Sequence, residues 1–263
     1  MDLGLTGKVA IVSGASTGIG FGIAEALVRE GAHVAVISRN EERIQAAAKA
    51  LNEIGPANAI GIAQDVTVPG AGPRVVEKTW DALGAPSILI TNSGGPAGRD
   101  FETLTDEDFD VALRMSFLSA VDLTRAALPS MKETGWGRIV HVSSGTVFEP
   151  NEDLFLSSAV RPAVAGFSKA LSREVASFGI TTNLVCPGYI ATDRLTELAE
   201  RRARDGGLTM EESWLAMRRA VPARRLGTTQ ELGEIVAFLC GEPASYINGT
   251  AIRVDGGKVA HLL

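Results

Sequence analysis

Three glycines in the run Gly14-Ala15-Ser16-Thr17-Gly18-Ile19-Gly20 stand where an apolar, β-branched stretch, 9–13, gives way to a helix-patterned one reading FGIAEALVREG. Glycine lets a backbone turn tightly and approach a ligand closely. The free amides at the start of the helix that follows, with its dipole, favour a pyrophosphate there. The spacing GxxxGxG differs from GxGxxG, and a glycine trio alone marks little more than a turn. A strand before it, a helix after it and a second strand about 20 residues on make it a dinucleotide cradle.

That second strand, 33–38, ends in Ser38 and Arg39, where an acidic residue would hold a ribose 2′-hydroxyl. A guanidinium fork beside a hydroxyl suits a 2′-phosphate, so NADP(H) is favoured over NAD(H) as cofactor; the alternative is an Arg39 that only faces solvent from a loop. Asp65, followed by Val66 at the end of a third strand, either accepts from an adenine amino group or is a loop-turn acid.

Short apolar runs alternate with longer helix-period segments from Lys8 onward, which points to parallel strands covered by crossover helices. Strands are expected at 9–13, 33–38, 59–63, 87–91, 138–143, 180–185 and 251–255, and helices at 18–30, 41–53, 71–83, 106–133, 157–178 and 230–241. Thr105 and Asp108 form a capping box for the fourth helix. The expected fold class is α/β, a doubly wound parallel sheet of seven strands with helices on both faces, in one domain over 1–263. A stretch at 192–229 breaks the alternation. It carries eight arginines against six acids, with Gly206 and Gly207 between two helical patches. It reads as a helical flap beside the site or as a solvated helical excursion.

The 263 residues are 45% hydrophobic, enough for a core, which excludes disorder as the main state. Lys plus Arg number 25 against 31 Asp plus Glu, a net charge of −6, so a nucleic-acid partner is not expected. Cys186 and Cys240 sit in apolar runs, outside any CxxC or Cys/His cluster. Neither a disulfide framework nor a metal site is expected, and the chain reads as cytoplasmic. No segment holds 18 uninterrupted apolar residues, so a membrane partner is not expected either.

Taken together, these residues resemble the short-chain dehydrogenase/reductase family, in its classical type that includes the 3-oxoacyl-acyl-carrier-protein reductases. SGASTGIG is similar to the family's cofactor loop, which extends the cradle to Ser16, Thr17 and Ile19. TNSGG resembles its Asn-Asn-Ala-Gly turn, with Asn92 and Gly94 kept and Ser93 between them. CPGYIATD resembles the segment that packs on the nicotinamide, through Pro187, Gly188, Ile190 and Thr192. The resemblance implies a Rossmann-type fold, a small carbonyl or alcohol substrate, acyl thioesters included, and a homotetramer or homodimer built on the helices at 106–133 and 157–178.

It also implies a catalytic tetrad of Asn, Ser, Tyr and Lys, of which only the serine survives. Ser144 in HVSSG matches the residue that holds the substrate oxygen. Ser157 stands at the tyrosine position, Arg161 at the lysine position, where it would also meet the cofactor ribose, and Ser116 at the asparagine position. A tyrosine of pKa about 10 can be drawn toward neutrality by a neighbouring cation, whereas an aliphatic hydroxyl is a far weaker acid. Arg161 keeps the charge but cannot relay a proton. A water between Ser144 and Ser157, or a group on the substrate, would have to supply it. His141 points away from Ser144 by strand alternation, and Pro162 disfavours helical geometry at Arg161 outside a first helical turn. Phe148, Phe155 and Leu156 either wall an apolar pocket or pack in the core. The leading reading is an NADP(H)-dependent oxidoreductase with an altered site. The alternatives are a cofactor-binding regulatory or scaffold protein of the same fold, and redox-neutral chemistry such as isomerisation.

Overall fold

The computed structural model describes residues 1–96, 98, 100–151 and 154–261. Seven strands form one parallel sheet in the order β3-β2-β1-β4-β5-β6-β7, comprising β1 (Val9–Ser13), β2 (His33–Ser38), β3 (Ala59–Ala63), β4 (Ile88–Thr91), β5 (Gly137–Val142), β6 (Ile180–Pro187) and β7 (Ala251–Val254). The expected α/β doubly wound architecture is what the chain adopts. Strand order reverses between β1 and β4, and the chains leaving their carboxyl ends diverge to open a crevice.

Alternation along each strand feeds two cores. Ala10 and Val12 of β1, with Val34, Val36, Ile88 and Ile90, pack under α1 (Gly18–Arg29), α2 (Glu41–Asn52) and α9 (Thr229–Cys240). Ile11, Ala35, Ile37, Leu89 and Ile139 pack on the opposite face under α3 (Ala71–Leu83), α5 (Ser119–Thr134) and α6 (Phe155–Val175). Each fully buried Ile or Leu contributes about 1.5–3 kcal/mol, so strand register is held strongly from both sides. Helices α1 and α9 meet closely because Gly22 lies against Thr229 and Gly233 against the Gly22 backbone, with no room for a Cβ at either.

The segment expected as one helix over 106–133 is divided. Helix α4 (Asp106–Leu113), started by the Thr105–Asp108 capping box, passes into a π-helical turn, Arg114–Leu118, before α5 begins. Helix α6 begins two residues earlier than expected, at Phe155, and ends in a 3-10 turn, Ala176–Phe178. Pro162 therefore lies in the helix interior rather than its first turn, and α6 runs through it. The charged stretch forms α7 (Asp193–Asp205) and α8 (Met210–Arg219), joined across Gly206 and Gly207. Both cysteines are buried, and burial pushes each thiol up to about 12, so they stay protonated and inert.

His141 on β5 is fully buried on the α6 side. Its Nδ1 lies 2.7 Å from the Thr91 hydroxyl and its ring sits against Phe167. Burial pushes its pKa down from 6.5 to about 4, so the folded protein holds it neutral while the unfolded chain takes up a proton below about 6.5. Stability is therefore complete above pH 6.5 and falls as pH drops toward 4, by about 3 kcal/mol from this residue alone. Urea midpoints measured from pH 7 to 4.5 should fall more steeply in the wild type than in His141→Gln; parallel curves would remove His141 as the cause.

Candidate active site

The crevice at the carboxyl edge of the sheet is a cleft of about 450 Å³, walled by the turns that follow β1, β4, β5 and β6. Gly14 and Gly18 have φ of 60° and 61°, the left-handed region that glycine enters without strain. A Cβ on Gly20 would press into the Gly14 carbonyl, so this residue closes the turn rather than lining the cleft. Thr17 is the N-cap of α1 in extended conformation, and its side chain makes no cap hydrogen bond. The first amides of α1 are thus left for a ligand, no acid stands in the first helical turn, and the dipole favours an anion. These features fit a dinucleotide pyrophosphate. Ser16 is half-buried beside this wall.

Asn92 acts on the cradle itself. Its side-chain amide donates to the Gly14 carbonyl at 3.0 Å, and its backbone exchanges bonds with the Ser13 hydroxyl at 2.8 and 3.0 Å. Ser93 and Gly94 continue the turn into the cleft wall, and Pro187, Gly188, Ile190 and Thr192 face it from β6. Thr192 also caps α7, its hydroxyl accepting from the Leu195 amide at 3.3 Å. At the other end Ser38 closes β2, and Arg39 is exposed with no ion pair among the described residues. Asp65 Oδ1 accepts from the Thr67 amide and hydroxyl at 2.9 and 2.7 Å, shaping the turn, and Val66 packs against the core. Neither Asp65 nor Val66 lines the cleft.

Three of the four tetrad positions come together. The Ser144 hydroxyl accepts from the Thr146 amide at 3.2 Å, which leaves its own proton free to donate into the cleft. The Thr146 hydroxyl lies 3.1 Å from that of Ser157, in the first turn of α6. Arg161, one turn further, is 7% exposed and donates to the Val142 carbonyl at 3.1 Å and the Gly94 carbonyl at 3.4 Å. Burial pushes its pKa down from 12.5 to about 10, so it remains a cation at neutral pH. Ser116 sits on the π-helical turn, buried, its hydroxyl without a partner among the described residues, and it does not line the cleft.

Thr146 escaped the sequence reading; its only signal was its place two residues after Ser144. His141 takes no part in the cleft. Leu156 and Phe148 belong to apolar clusters, so packing is the correct alternative for both, whereas Phe155 is exposed and meets the rings of Phe101 and Phe109.

A family model for short chain dehydrogenases matches residues 8–203. The chain belongs to the short chain dehydrogenase family. It is 36% identical over 251 residues to the 3-oxoacyl-[acyl-carrier-protein] reductase FabG of Escherichia coli, covering 95% of this chain and 97% of that one. The L-sorbose reductase of Gluconobacter frateurii, solved with NADPH and L-sorbose, superposes at a TM-score of 0.94 with 32% identity over 100% of both chains. The actinorhodin polyketide ketoreductase, solved with NADPH, gives 0.92 and 32% over 95% of this chain and 97% of that one. This short chain dehydrogenase is an oxidoreductase of the Rossmann-type α/β class.

Helix α7 is strapped across the cleft. Arg194 donates to the Pro96 carbonyl at 3.0 Å and Arg201 to the Gly98 carbonyl at 2.7 Å, and a Cβ on Gly98 would collide with the Arg201 guanidinium. Each such bond contributes about 0.5–1.5 kcal/mol. Replacing both arginines by alanine should raise hydrogen exchange in α7 about tenfold or more while leaving β1 and β4 protected. Unchanged exchange in α7 would show that its packing alone holds it.

Proposed function

We propose that this short chain dehydrogenase is an NADP(H)-dependent oxidoreductase acting on a small carbonyl or alcohol, with Ser144, Ser157 and Arg161 in place of the usual serine, tyrosine and lysine. The observation that carries this reading is the Ser144–Thr146–Ser157 cluster facing the same cleft as the nucleotide cradle. The bound nicotinamide supplies or accepts the hydride. Gly14, Thr17, Gly18 and Ile19 would hold its pyrophosphate, Asn92 keeps the cradle in shape, and Pro187, Gly188 and Ile190 wall the nicotinamide side.

Ser144, its oxygen already accepting from Thr146, turns its proton toward the substrate oxygen. Ser157 gives a second hydroxyl, oriented by Thr146. The buried Arg161 cation stabilises negative charge developing on that oxygen in a site shielded from water. It does not deprotonate at neutral pH, so the proton comes from water at the cleft mouth rather than along a side-chain relay. Positioning and charge stabilisation are retained, and a general-acid contribution of about 10² to 10⁴ is forgone. We also read α7 and α8 as a flap over the substrate end. The exposed apolar side chains Phe101, Val111, Leu118 and Phe155 on and before α4 to α6 are read as the seat of a second copy of the chain.

NADPH oxidation across a panel of aldehydes and ketones should be slow but saturable, and Ser144→Ala should lower kcat by about 10² or more. Ser157→Tyr combined with Arg161→Lys should raise an existing rate. Activity appearing only in the double variant would instead favour a cofactor-binding regulatory protein.

Arg39, exposed beside Ser38 with no acid at the end of β2, supports the phosphorylated cofactor, as do the relatives solved with NADPH. Arg39→Ala should weaken NADPH binding about 10- to 100-fold and leave NADH unchanged. Equal losses for both would remove the 2′-phosphate contact.

A further inference from the structure

Among the described residues, six formally charged side chains line the cleft, and four of them have evident work. Arg161 is bonded to two backbone carbonyls, and Arg194 to Pro96 and, at 3.0 Å, to the Glu197 carboxylate. Asp255 accepts from the Gly257 and Val259 amides, both at 2.9 Å, and so shapes the turn after β7. Asp193 opens α7, where the helix dipole favours an acid. Glu149 and Lys258 are left.

Lys258 is half-buried and has no carboxylate within 4.0 Å among the described residues. Its ammonium lies 5.0 Å from the centroid of the Tyr189 ring. That ring is itself held in a packed cluster with Leu195, Ala199, Met217 and Val221. An aromatic face attracts a cation without consuming its hydrogen-bond donors, so the ammonium is positioned while its N–H groups stay available. The next residue, Val259, lies against Gly145: a Cβ there would be 3.4 Å from the valine methyl. The Asp255-anchored turn therefore brings this cation to the loop that begins with Ser144.

Strand order sets Lys258 apart from the cradle and from Arg39. The cradle follows β1 and Arg39 follows β2, whereas Lys258 follows β7, four strands beyond β1 at the opposite edge of the sheet. We propose that Lys258 binds a carboxylate carried by the substrate, so that the reacting compound is an oxo acid, or its hydroxy acid, held by Ser144 at the carbonyl and by Lys258 at the anion. This rests on the reductase reading above and narrows its substrate class. Lys258 acts here by selecting the substrate and takes no part in the proton chemistry.

Matched pairs test it: 2-, 3- and 4-oxo acids of five or six carbons, each beside its methyl ester, with NADPH. At least one acid should exceed its ester tenfold or more in kcat/KM, the difference lying in KM. Lys258→Gln should bring acid and ester within about threefold, and Lys258→Arg should keep most of the preference. An ester equal to its acid in the wild type overturns the proposal, as does an acid preference that survives Lys258→Gln. So does an acid preference that arises only in Glu149→Gln. Titration of the same acids into the NADPH-loaded protein, followed by nicotinamide fluorescence, separates the two readings. Binding that Lys258→Gln abolishes, with no oxidation of NADPH in any variant, upholds the anion site and sinks the reductase reading. Absence of both binding and turnover overturns the anion site.

Discussion

The junction between Asn92 and the Gly14 carbonyl holds the two halves of the site together. It ties the end of β4 to the end of β1 at the point where strand order reverses, and the Ser13 hydroxyl doubles the tie. Parallel strands must part there, because their crossover helices lie on opposite faces, and parting strands leave backbone groups unpaired. Asn92 satisfies one of those groups with a side chain and fixes the cradle in the same act. Gly14 can serve only without a Cβ, since the Asn92 backbone and amide occupy that space at 2.8 and 2.9 Å. The turn that begins at Asn92 then carries Gly94, whose carbonyl receives Arg161. Cradle, turn and buried cation form one connected assembly.

Burying that cation is costly, and the structure shows how the cost is contained. A guanidinium buried without partners would bear the full cost of its lost hydration. Two carbonyl acceptors take hydrogen bonds from the buried Arg161 cation, although its Nε has no partner among the described residues. A lysine at the same point would be a compact charge with a rotating set of donors. The planar fork of arginine instead bridges the ends of β5 and the Asn92 turn. Part of what reads as a catalytic substitution is thus also a structural one.

How much of this was legible in the sequence follows from the range of each interaction. Strands announced themselves because a parallel strand buried on both faces must be apolar throughout, and the Gly14 to Gly20 spacing was legible because backbone proximity demands glycine. Helix starts such as Thr105–Asp108 are encoded within four residues. The π turn at Ser116 was not legible, since it lies in an otherwise unbroken helical pattern and is settled by what packs around it. Thr146 was missed because a threonine in a loop carries no periodic signal, and its meaning depends on Ser157, eleven residues away. The arginines of 192–229 could be counted but not assigned, because their acceptors, Pro96 and Gly98, are about a hundred residues distant.

These distances bear on what the altered tetrad can do. A proton relay needs a continuous chain of groups that both donate and accept, and Arg161 interrupts any such chain because it only donates. Electrostatic stabilisation has no such requirement; it needs fixed charge and dipoles aimed at the reacting oxygen in a site poor in water. Arg161 is fixed by two carbonyls, Ser144 is oriented by a backbone amide, and Ser157 is steadied by Thr146, so none of the three must reorganise when charge develops. On the proposed reading, Ser144, Ser157 and Arg161 would preserve the part of the chemistry that depends on preorganisation and surrender the part that depends on proton mobility. A substrate whose reduced oxygen can wait for water, rather than one that must be protonated in the act, is the kind such a site can turn over.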